Sequence, residues 1–134
     1  MNFVSVRVVT TDVARLVGFY ERVTGLDATW STPDFAEIAT GGATLAIGST
    51  RTVAMLPPGA VTAGANRSAI VEFLVDDVDA LHEKLDVDVV LAPTTMPWGN
   101  RSLLVRDPDG NLVNLFTPVT PAAVHKFSGH VAPE

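Results

Sequence analysis

The sequence predicts an α+β fold built from two βαβββ modules in tandem, folded into a curved, cup-shaped mixed sheet. Three observations lead there. A strand–helix–strands order occurs twice along the chain, two nearly equal residue offsets carry the first half onto the second, and each half is too small to close a core alone.

Residues 3–9, FVSVRVV, alternate in the manner of a strand, with Val4, Val6 and Val8 on one face and Phe3, Ser5, Arg7 and Val9 on the other. Thr11 or Asp12 then caps a helix on which Val13, Leu16, Phe19, Tyr20 and Val23 recur at three- and four-residue steps. Gly25 suits the end of that helix. Residues 28–40 read as extended and are broken at Pro33, Gly41-Gly42 makes a hairpin, and ATLAIGS (43–49) is the next strand. The order then repeats. AIVEFLV (69–75) is a strand, Asp76 or Asp77 caps a helix carrying Val78, Leu81 and Leu85, and two extended segments follow, the last pair joined by the turn DPDG. In that turn Pro108 presets φ, Gly110 supplies a positive φ and aspartate bonds nearby amides, so its acidic residues are structural.

An offset of 65 places Ser5 on Ile70, Arg7 on Glu72, Asp12 on Asp77 and Leu16 on Leu81. An offset of 68 places Gly42 on Gly110, Leu45 on Val113, Ala46 on Asn114 and Ile47 on Leu115. The modules therefore span about 1–49 and 69–118 within one domain, 1–119, joined by 50–68 with a break at Pro57-Pro58-Gly59. The tail 120–134 lacks a period and is expected to be loosely held. In each module the helix must cover one sheet face, which suits the Val4/Val6/Val8, Leu45/Ile47, Val71/Phe73/Val75 and Val113/Leu115 rows. The other face mixes apolar and polar groups and has no helix left to cover it. Curvature makes that face a cup for a ligand.

Totals narrow the function. With 134 residues, 47% hydrophobic and 18% charged, the chain is an ordinary globular one. A net charge of -6 without a lysine/arginine cluster argues against nucleic acid. There are no cysteines, so thiolate catalysis and cysteine-based zinc sites are excluded. MNFVSVRVV is no signal peptide, no run approaches the ~20 apolar residues of a membrane span, and the expected location is cytoplasmic.

The stretches DVARLVGFYERVTGL (12–26), FLVDDVDAL (73–81) and WGNRSLLVRDPDGNLVNL (98–115), set in paired βαβββ units, resemble the vicinal oxygen chelate superfamily, in its glyoxalase/bleomycin-resistance/dioxygenase branch. The resemblance covers roughly residues 3–118. It implies a divalent metal held by four side chains, usually histidine or glutamate, from the first and last strands of each module. The matching positions here are Ser5, Ala46, Ile70 and Asn114. Alanine and isoleucine offer no donor atom, and serine and asparagine are neutral oxygen ligands, so neither a metal nor another cofactor is expected. The resemblance also implies a homodimer in which one module from each chain completes each cup, an exchange the 50–68 connection permits.

Several residues on the expected open face are candidates. Asn114 either bonds neighbouring strands or grips a ligand. Arg7 and Glu72 occupy equivalent positions, and either pair as a structural ion pair or act as catalytic residues, Glu72 as general base and Arg7 as anchor for a carboxylate or enolate. Ser5, Ala46, Ile70, Trp98 and Phe116 complete the expected ligand contacts; Trp98 and Met96 suit stacking on a planar molecule and equally suit plugging the pocket or a dimer contact. His82, His125 and His130 match no metal spacing. The expected function is metal-free binding of an organic small molecule. The alternatives are a metal-free isomerase or lyase using Glu72, and a metal-dependent glyoxalase- or dioxygenase-like enzyme.

Overall fold

A computed structural model of the protein describes residues 1–130 and divides into two compact units. One comprises Met1–Asn66 with Pro108–Gly110, the other Arg67–Asp107 with the chain from Asn111 onward.

The first unit runs β1 (Ser5–Thr10), α1 (Val13–Thr24), β2 (Thr29–Thr32), β3 (Phe35–Ala39) and β4 (Thr44–Ser49). Its sheet has the order β1-β4-β3-β2, with β1 parallel to β4 and the other pairs antiparallel. Asp12 caps α1 by accepting the Arg15 N–H at 3.1 Å. Gly25 ends the helix at φ 70°, where its N–H bonds the Glu21 carbonyl at 2.9 Å, a left-handed position that glycine occupies without steric cost. Leu16, Val17 and Tyr20 turn inward onto Ala36 and Ile38 of β3 and Leu45 and Ile47 of β4, all buried. Each large apolar side chain so buried contributes about 1.5–3 kcal/mol relative to exposure. β1 departs from the expected pattern: Val4 and Val6 are exposed, because α1 packs on the central strands β3 and β4 rather than on the edge strand. After a 3-10 turn at Thr50–Val53, the connection returns along β1, and the Gly64 N–H bonds the Val9 carbonyl at 3.1 Å.

The second unit repeats the plan with β5 (Ile70–Leu74), α2 (Val78–Lys84), β6 (Asp88–Thr95), β7 (Asn100–Arg106) and β8 (Leu112–Pro118), in the order β5-β8-β7-β6. Asp77 caps α2 through the Ala80 N–H at 3.1 Å, the act Asp12 performs in the first unit. Val78 packs with the buried rows Leu103/Leu115 and Val105/Val113. Outside that core, Arg101 holds Asp79 of α2 with two hydrogen bonds, at 2.7 and 2.9 Å. The strand registers reproduce both offsets: Ser5 lies opposite Thr44 and Ile70 opposite Leu112, which are 65 and 68 residues further on.

The α+β tandem therefore stands, as two open four-stranded sheets. Both β2 and β6 carry register breaks, and β6 has two, between Val89 and Leu91 and between Leu91 and Thr94. Pro93 lies in the second break; it has no N–H for the ladder, and β6 is an edge strand where that is tolerated. Breaks of this kind bend a strand and increase its twist.

The segment after Thr120 differs from expectation. It forms α3 (Pro121–Lys126) and a 3-10 turn, Ser128–His130; the remaining four residues of the expected tail lie outside the described residues. Thr120 caps α3 by accepting the Ala123 N–H at 3.3 Å, and Pro121 fills the first turn, where an N–H is not needed. Ala123 is buried beside Gly99, and the Phe127 ring packs on Phe116.

Candidate functional site

In each unit the helix covers one sheet face, and strand pairing states which residues share the other. On the first sheet, Arg7, Ala46 and Glu37 form one cross-strand row, because Arg7 lies opposite Ala46 and Ala46 opposite Glu37. Ser5, Thr44 and Ala39 form the row beside it. Ser5 and Ala46 are thus on one face but diagonal rather than opposite. Ala46 is buried between its longer neighbours, whereas Arg7 and Ser5 are exposed. A hollow of about 260 Å³ borders this face between Val9 and the connection; Val53, Leu56, Pro57 and Val61 line it, with no charged side chain.

On the second sheet the central row is Glu72, Asn114, Leu104 and Leu91, one residue from each strand in spatial order. The row on one side is Ile70, Leu112, Arg106 and Asp88, and on the other Leu74, Phe116, Ser102 and Thr94. Of the sequence candidates, four meet here: Ile70, Glu72, Asn114 and Phe116. Trp98 does not join them. It occupies the tight turn between β6 and β7, where the Gly99 N–H bonds the Met96 carbonyl, and is 67% exposed.

Glu72 takes its hydrogen bond within its own sheet. The Asn114 Nδ2 donates to Glu72 Oε2 at 2.8 Å. That bond fixes the amide's direction, since the reverse orientation would set two acceptors against each other. It leaves Asn114 Oδ1 buried and without a hydrogen-bond partner. Asn100, two rows along the same face and 8% exposed, likewise holds an unpartnered Oδ1. Phe116 is buried because Phe127 stands against it, ring centroids 5.0 Å apart.

The four positions at which the resemblance places metal ligands supply only the Ser5 hydroxyl and the Asn114 amide, and the amide's donor side faces a carboxylate. Among the described residues no three histidine, cysteine, aspartate or glutamate side chains gather in a group able to hold a metal ion. This donor set does not fit the chelate of the family's metalloenzymes.

Three participants escaped the sequence reading. Glu37 carries a readable signal: in FAEIA it alternates with the buried Ala36 and Ile38, so it must share a face with the strand's open-side residues. Leu91 reaches the central row only because β6 is out of step with β7, and no periodicity reveals that. Phe127 had a partial signal in Thr120-Pro121, a cap followed by a first-turn proline.

Paired βαβββ units with an open sheet face define a protein of the vicinal oxygen chelate class. The comparisons name the family: the model of the Glyoxalase/Bleomycin resistance protein/Dioxygenase superfamily matches residues 2–115, and the chain belongs to it. Among solved structures, it resembles a glyoxalase/bleomycin resistance protein/dioxygenase family enzyme from Burkholderia phytofirmans PsJN at 19% identity, TM-score 0.76, covering 89% of this chain and 100% of that one. A glyoxalase/bleomycin resistance protein/dioxygenase from Nocardioides is 20% identical with TM-score 0.73, over 90% and 85% of the two chains. A protein of unknown function from Agrobacterium tumefaciens str. C58 is 25% identical with TM-score 0.74, over 87% and 94%. No curated protein matches the chain.

Proposed function

We propose that the protein binds an organic small molecule, without a metal, on the open face of its second sheet. The observation that carries this reading is the Glu72–Asn114 hydrogen bond, set among Leu104, Leu112 and Phe116 where the resemblance puts a chelating side chain. A carboxylate and an amide on an apolar face form a recognition pair, since the leucines supply area and the polar groups supply orientation.

A thermal-shift screen of organic molecules in excess EDTA tests it. Hits that raise the melting temperature in EDTA, and that fail on a Glu72→Ala/Asn114→Leu double variant, are the expected result, because a ligand selective for the folded state stabilises it by mass action. Hits that vanish on chelation, or one equivalent of divalent metal found by elemental analysis, would overturn it. Turnover of a bound compound would replace binding with the enzyme reading, in which Glu72 is the base.

The homodimer implied by the resemblance is proposed with it. Phe3, Val4 and Val6 are exposed on and beside the edge strand β1, apolar surface of the kind that pairs with a second chain. Sedimentation velocity at micromolar concentration should give twice the 14.2 kDa chain mass; a single monomeric species rejects it.

A further inference from the structure

The hydrogen-bond inventory of this same face narrows the ligand class, on the footing that the binding reading above holds. Asn114 spends one N–H on Glu72, and its Oδ1 is buried with nothing donating to it. An acceptor left in that condition costs about 1–3 kcal/mol, and its partial negative charge adds to that of the Glu72 carboxylate beside it. The Glu72 carboxylate also only accepts, and with Oε2 engaged it has Oε1 for a further partner. Asn100 adds another buried, unpartnered acceptor on the same face. Against these stands the second N–H of the Asn114 amide. Arg106 lies one row away and two strands from Glu72, and it already has an interaction of its own. The balance around Glu72 therefore calls for a guest that donates hydrogen bonds and carries positive charge.

The apolar part of the row sets the rest of the guest. From Asn114 the row continues through Leu104 on β7 to Leu91 on β6, two strand spacings, or about 10 Å. Beside it, Phe127 closes on Phe116 and bounds the face along β8.

We infer that the ligand is a cationic amphiphile whose ammonium group bonds the exposed Glu72 carboxylate beside Asn114, and whose apolar body, about 10 Å long, lies across Leu104 toward Leu91. An ammonium brings three donors, and charge-assisted bonds to a carboxylate are about twice as strong as neutral ones.

Three probes with a common body test this: 4-phenylbutylammonium, 4-phenylbutan-1-ol and 5-phenylpentanoate. Each is titrated into the ¹⁵N-labelled full chain while the Asn114 side-chain amide and the Leu104 backbone amide are followed. The ammonium should bind at least about tenfold more tightly than the alcohol and move both signals, and the carboxylate should bind most weakly. Glu72→Gln keeps an oxygen for the Asn114 donor but removes the charge. It should erase the ammonium's advantage over the alcohol while the amide spectrum of the free variant stays that of the folded wild type, which separates recognition from folding. Equal or tighter binding of the carboxylate or the alcohol at these signals would sink the ligand class and leave the binding face standing. Failure of all three to move them would remove both.

Discussion

The Phe127 ring packs against Phe116 with centroids 5.0 Å apart and planes tilted by 60°, so the C-terminal segment is seated on the open face of the second sheet. Phe116 shares that face with Asn114, two residues earlier on the same strand.

Removing the ring should therefore uncover Phe116. Phe127 is half-buried, so Phe127→Ala is expected to cost about 1–2 kcal/mol, less than the ~3–5 of a fully buried phenylalanine. Urea unfolding measures it, and an unchanged midpoint would show that the segment contributes nothing.

Asp12 and Asp77 each cap a helix with one carboxylate bond to the third residue on. Each alanine substitution should cost about 1 kcal/mol. They belong to different units with separate partners, so the double variant should lose the sum to within about 0.5 kcal/mol. Strong non-additivity in chemical denaturation would contradict the independence of the two caps.

Two glycines test backbone strain against crowding. Gly99 and Gly110 both hold positive φ, 95° and 83°, but only at Gly99 would a Cβ overlap the Thr120 hydroxyl and press on Ala123. Gly110→Ala should lose about 1 kcal/mol from conformation alone. Gly99→Ala should lose at least about 2 kcal/mol more, because the start of α3 must move. Equal melting temperatures for the two variants would refute the crowding.

The Arg101 guanidinium, bonded to Asp79, holds that carboxyl below its ordinary 3.8, and Arg51 does the same for Asp34. A depressed folded-state value contributes stability above the unfolded value and loses it as pH falls through the folded one. Both pairs are at the surface, so the effect is small and screened by salt. Wild-type urea midpoints should exceed those of Asp79→Asn at pH 6, with the gap closing below pH 3.8. A gap that widens in acid would reverse the sign.

Most of the architecture was legible because it repeats. Strand alternation, two aspartate caps and Gly25 are local signals, and the paired offsets turned them into topology that the registers bear out. The turn was also readable: Asp107 accepts both the backbone and side-chain N–H groups of Asn111, at 2.9 and 2.7 Å. What escaped was long-range. The six residues of α3 are too few to show an apolar stripe, and their helix is secured by Gly99, which β7 and β8 separate from it in sequence, and by the packing of Phe127 on Phe116. Glu72 could be placed on its face from alternation alone, but its hydrogen bond to Asn114 arises from strand pairing across 42 residues.

The doubled plan has an evolutionary corollary. Each half completes its own hydrogen-bonded ladder and buries its own apolar rows beneath its helix. The corresponding spots carry different pairs, arginine with alanine in the first copy and glutamate with asparagine in the second. A duplicated scaffold of this kind lets selection rewrite one surface's specificity while the other keeps its own.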